Sequence, residues 1–107
     1  MNLLDKYSDP IKVLCAKYKI RELYAFGSVL GGEFNDTSDI DLLVNFDPMN
    51  LAIYTNNYFN FKFSLEDLFE RTVDLVEESA LKNPYFKESI SNSRQLVYGN
   101  LDKDMVI

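Results

Sequence analysis

Apolar positions along this chain alternate between helical and strand spacing, and the alternation predicts an order of elements. Leu4, Tyr7, Ile11, Leu14 and Tyr18 recur at spacings of three and four, which predicts an amphipathic first helix. Pro10 suits the first turn of a helix, so Ser8 or Asp9 is the expected cap and the residues before it a separate arm. Glu22 to Phe26 reads as a short strand ending at Gly27. Ser28 to Leu30 begins a short helix that Gly31 and Gly32 stop, and Asn35 to Ser38 has the composition of a loop.

The second half carries stronger signals. Ile40 to Phe46 is a second strand, ended by Asp47 and Pro48. Its alternation places Ile40, Leu42, Val44 and Phe46 on one face and Asp39, Asp41, Leu43 and Asn45 on the other. Leu51, Tyr54, Tyr58, Phe61, Leu65 and Leu68 form a helical stripe from about Asn50 to Phe69. Phe59 and Phe63 fall off that stripe, either as a second core contact or as a subunit interface of a homo-oligomer. Because 59–63 also alternates with period two, a strand is a competing reading there. Thr72 to Glu77 is a third strand carrying Asp74. Asn83 and Pro84 read as the cap and first residue of a helix reaching about Ser91. Gln95 to Tyr98 is either a last short strand or the end of that helix, closed by Gly99. The result is an α/β (α+β) fold: a small mixed β-sheet flanked by helices, with 1–107 as one domain.

Composition removes whole classes of chemistry. With no histidine and a single cysteine, Cys15, the chain can build neither a His/Cys zinc site nor a Ser-His-Asp triad, nor an internal disulfide. Catalysis must run on carboxylates, hydroxyls and basic side chains. The net charge of -6 argues against direct nucleic-acid binding, which usually needs a basic patch. No apolar run approaches a membrane span and no signal segment is visible, so the expectation is no membrane and a cytoplasmic location.

The chemistry-bearing residues lie close together. Gly27-Ser28 is followed by ten residues and then Asp39-Ile40-Asp41. Aspartate is depleted in strands, and two on one face repel unless a cation sits between them. Their chemistry suits a hard divalent ion that also holds phosphate oxygens. A glycine lets a phosphate approach the backbone, Ser28 adds a hydroxyl donor, and a following helix start presents free N–H groups. No Gly-Lys-Ser/Thr follows, so this is not a Walker loop. Asp74, inside Val73-Asp74-Leu75-Val76, needs either a hydrogen-bonded structural role or a share in the same metal.

Taken together, Gly27-Ser28, the ten-residue gap, Asp39-Ile40-Asp41 and Val73-Asp74-Leu75 resemble the minimal nucleotidyltransferases of the DNA polymerase beta superfamily. The similarity runs from about Arg21 to Tyr98. Within that superfamily it is closest to the small MNT proteins, often antitoxins paired with HEPN-domain toxins. The resemblance implies a nucleotidyltransferase fold with Gly27 and Ser28 holding the triphosphate of a nucleotide, with ATP the expected one. It also implies a two-metal Mg²⁺ site on Asp39, Asp41 and Asp74, with Asp74 helping to deprotonate the attacking hydroxyl. The implied reaction moves AMP to a hydroxyl, in the antitoxin subgroup a tyrosine of the HEPN partner. Two other functions fit the same resemblance: an antitoxin that masks its partner without catalysis, and a small-molecule nucleotidyltransferase. The sequence departs from the pattern at Val29, Leu30 and Gly31, where relatives often place an arginine. Arg71 and Lys82 are candidate replacements for that cation, against the plainer reading of both as solvated surface.

Overall fold

A computed structural model describes residues 3–30 and 38–99 of the chain. The elements run α1 (Leu3–Lys6), α2 (Ser8–Lys17), β1 (Ile20–Phe26), a 3₁₀ turn (Gly27–Leu30), β2 (Ile40–Phe46), α3 (Leu51–Phe69), β3 (Val73–Glu77), a second 3₁₀ turn (Glu78–Ala80), α4 (Pro84–Ser93) and β4 (Gln95–Tyr98). The strands form one mixed sheet in the order β3-β2-β1-β4. β1 pairs antiparallel with both β2 and β4, while β2 and β3 run parallel with α3 as the crossover between them. Gln95 to Tyr98 is therefore a strand. The expected stop at Gly31 and Gly32, and most of the 35–38 loop, lie outside the described residues.

Strand alternation divides the sheet into two faces with different covers. Ile40, Leu42 and Val44 of β2 join Leu23, Ala25, Val73 and Leu75 beneath α1, α2 and α3, which contribute Leu4, Ile11, Cys15, Phe61, Leu65 and Phe69. Burial there pushes the Cys15 thiol up to about 12, so it is an inert core residue. On the other face Leu43 packs with Phe26 and with Ile90 of α4, flanked by Tyr24, Val76 and Leu81. Asp41 and Asn45 lie on this second face of β2, as the alternation predicts.

Expectations about the helices are corrected at the start of α2 and at Leu51, and the open alternative at 59–63 is resolved in favour of the helix. The chain is already helical at Ser8, the cap position is Tyr7 with no side-chain cap bond, and Pro10 is the third helical residue. Proline is tolerated there because the first N–H groups of a helix have no intrahelical acceptor. The preceding residues are a separate element, the short helix α1, and it is packed down: Leu4 is buried and the Tyr7 ring meets Phe69 edge-on at 5.6 Å. In α3 the buried stripe starts at Tyr54, which packs against Phe46 at the end of β2. Leu51, one turn earlier, is 77% exposed because the strand it would cover has ended. Residues 59–63 are helical, not a strand: Phe61 is fully buried, while Phe59 and Phe63 stack on each other at 6.2 Å outside the core.

Two asparagine side chains cap helices, one on each face of the sheet. Asn50 caps α3 by accepting from the Ile53 N–H, and Asn83 caps α4 by accepting from the N–H groups of Tyr85 and Phe86 at 2.9 and 3.3 Å. The Asn83 bonds replace partners those amides cannot find within the helix. Asn83→Ala is therefore expected to lower stability by about 1 kcal/mol, read as a lower urea midpoint with an unchanged slope. β3 is an edge strand, and the Tyr58 hydroxyl donates to its Leu75 carbonyl. Among the described residues no helix is long and apolar enough to cross a membrane.

Candidate active site

The end of the second face where β2 begins gathers the predicted acids. Parallel register sets Asp41 of β2 directly beside Asp74 of β3, so both Cα atoms share one row of the sheet. Adjacent strands stand about 4.8 Å apart, and paired residues point to the same face. On the other side Asp41 is the antiparallel partner of Phe26, the last residue of β1. Asp39 lies one residue before β2 and is exposed. Burial raises the Asp41 pKa above the ordinary carboxylate value, and the negative charges of Asp74 and Asp39 raise it further. Asp74 itself is exposed rather than enclosed by its strand, because Val73 and Leu75 turn to the core and Asp74 turns away from it. Its carboxylate therefore reaches solvent without needing a buried hydrogen-bond partner.

Gly27 earns its place by geometry. Its φ is +75°, in the left-handed region that side chains disfavour. A Cβ built there would stand 2.5 Å from Oδ2 of Asp41. The carboxylate thus rests against the bare Cα of the glycine. Gly27 and Ser28 open a 3₁₀ turn, a tighter helix than expected, whose Val29 is buried in the larger core. The core contact explains why an apolar residue stands at this place.

The three acids supply only hard oxygen donors, the chemistry that suits Mg²⁺. Among the described residues no three acidic side chains stand close enough together to cage a metal ion. Backbone placement nonetheless puts Asp41 and Asp74 on one row of adjacent strands. The residues fit the ion in the kind of donor they offer.

Of the two cations, Arg71 is more than solvated surface. Its guanidinium donates to the Ser38 carbonyl at 3.1 Å, immediately before Asp39. The turn that carries it is set by Glu70 in the left-handed conformation and by the Glu66 carboxylate, which accepts from the Val73 N–H. The Ile40 N–H also donates to the Thr72 carbonyl at 3.0 Å, so the approach to β2 and the approach to β3 are tied together. Lys82, by contrast, is exposed in the segment before α4. Arg71→Ala is expected to lower kcat/KM about 10-fold through misplacement of Asp39, with an unchanged circular-dichroism spectrum.

Sequence reasoning missed what closes the far end of this face. Asn45 donates to Glu78 at 2.7 Å and to Glu22 at 3.3 Å; Arg94 donates to Glu78 at 2.8 Å and lies over the Tyr24 ring at 4.0 Å. These partners come from four separate segments, and no sequence spacing links them. They hold α4 and β4 to the sheet and leave the acidic end as the open one.

The site thus consists of paired carboxylates on adjacent strands with a glycine turn pressed against one of them. Comparison with known proteins makes this specific. The profile of the family described as nucleotidyltransferase domain matches residues 10–97, and the chain belongs to that family. It is 42% identical over 91 residues to a Methanocaldococcus jannaschii protein provisionally named a protein adenylyltransferase, covering 81% of this chain and 84% of that one. A solved structure provisionally described as a minimal nucleotidyltransferase superimposes with a TM-score of 0.72 at 31% identity, covering 89% of this chain and 95% of the other. The fold is also that of a chain from a complex of tri-AMPylated Shewanella oneidensis HEPN toxin with its MNT antitoxin (TM-score 0.64, 19% identity, 97% and 79% covered). The mixed α/β architecture and the nucleotidyltransferase class expected from the sequence are thus correct.

Proposed function

We propose that the chain transfers AMP from ATP to a tyrosine hydroxyl of a HEPN-domain partner and so acts as an antitoxin. The observation that carries this reading is the row Gly27–Asp41–Asp74, an open carboxylate pair against a left-handed glycine. The M. jannaschii relative's name and the AMPylated toxin in the Shewanella complex support the choice of adenylyl group and partner. Asp39, Asp41 and Asp74 are the residues that would hold Mg²⁺, which when bound supplies positive charge for the phosphate oxygens. Gly27 lets the triphosphate approach the backbone, and Ser28 follows it in the same turn.

The chemistry balances as an in-line displacement. The tyrosine oxygen forms a bond to the α-phosphorus while the bond to the β-phosphate oxygen breaks, and pyrophosphate leaves. The phenol proton, with a free pKa of about 10, must be removed at neutral pH. Asp74, exposed on β3 beside Asp41, helps to take that proton. Arg71 steadies the residue before Asp39.

Intact mass of the HEPN partner after incubation with the chain, ATP and Mg²⁺ tests this. Partner heavier by one or more AMP groups, with its toxicity lost, is the expected result. Unmodified partner that is nevertheless neutralised would instead establish the masking function.

A further inference from the structure

We propose that Phe86, at the start of α4, is the platform on which the nucleobase of the bound nucleotide stacks; this rests on the nucleotide seat proposed above. Phe86 is 44% exposed although α4 turns its stripe toward the sheet, with Ile90, four residues later, buried in the second core. Its ring meets Phe26 at 6.4 Å with the planes at 79°. Phe26 is almost buried, precedes Gly27 and is the register partner of Asp41. An unbroken run therefore leads from the phosphate-handling end, across Phe26, to an open aromatic ring.

The rest of the helix start points the same way. Asn83 occupies the N–H groups of Tyr85 and Phe86, which holds the Phe86 backbone in place. What the α4 start offers the site is thus a ring rather than free donors. A ring stacks on every base alike, so the platform adds affinity for the nucleotide without demanding one base.

Equilibrium binding of ATP and of inorganic tripolyphosphate, each with Mg²⁺, to the full chain tests the assignment. Phe86→Leu keeps apolar bulk but removes the ring, and Phe86→Tyr keeps the ring. The leucine variant is expected to bind ATP about 10-fold more weakly while binding tripolyphosphate as before, and the tyrosine variant to restore ATP binding. Unchanged ATP affinity in the leucine variant, or equal weakening toward both ligands, overturns the platform while leaving the phosphate seat intact. If the unmodified chain binds neither ligand, the nucleotide seat itself is wrong and the platform falls with it.

Discussion

Asp41→Asn is expected to abolish nucleotidyl transfer, by about three orders of magnitude, without weakening the fold. The activity term follows from the position of Asp41 between Asp74, Phe26 and Gly27, where its charge is the centre of the acidic row. Loss of that charge removes several kcal/mol of stabilisation from the phosphate-bound transition state, and each 1.36 kcal/mol is tenfold in rate. The stability term has the opposite sign. The folded Asp41 has a raised pKa, so folding favours its protonated form. Its contribution is therefore most favourable below the ordinary value of 3.8 and declines as the pH rises through the raised one. At neutral pH the ionised group is a net burden on the fold, and asparagine removes it. Thermal melts should show the variant at an equal or higher Tm at pH 7, with the advantage shrinking as the pH approaches 3.8. A variant with full activity, or one markedly less stable at neutral pH, contradicts this account of Asp41.

Gly27→Ala should damage the same site from the other side. The alanine must adopt a φ of +75°, which costs about 1 kcal/mol for an L-residue, and its methyl would overlap Asp41 Oδ2. The nearest atom is a carboxylate at the end of a rotatable side chain, so the strain is relieved by turning Asp41 out of the row. The expected outcome is a loss of about 100-fold in kcat with a modest fall in the urea midpoint of about 0.5 M. A kcat unchanged in Gly27→Ala would mean that the orientation of Asp41 against this glycine is irrelevant to the chemistry.

Much of this site was legible in the chain because its parts obey short-range rules. The Asp39-Ile40-Asp41 spacing sits at the start of a strand whose alternation is unambiguous, and Ile40 to Phe46 is the observed β2. Asn83-Pro84 gave the α4 cap for the same reason. Asp74 was legible as a third acid but not as an exposed one, since a single strand shows alternation without showing which face α4 covers. The start of α2 was misplaced because the tertiary burial of Leu4 and Tyr7 outweighed the local preference of Ser8 and Asp9 for capping. Phe59 and Phe63 looked like a second contact face, yet the sheet lies on the other side of α3 and leaves them outside. Arg71 and Phe86 act across sequence separations of 33 and 60 residues, to Ser38 and Phe26, and only the sheet topology brings those pairs together.

The central claim is that this acidic row moves a nucleotidyl group rather than a phosphoryl group or nothing at all. The most direct measurement incubates the chain and the HEPN-domain partner proposed for it with Mg²⁺ and ATP labelled either at the α- or at the γ-phosphate, then follows label covalently bound to the partner. The account predicts stable label from α-labelled ATP only, released pyrophosphate in equal amount, and neither in Asp41→Asn. Label arriving from the γ-phosphate, or α-label transferred equally by the Asp41 variant, would contradict it.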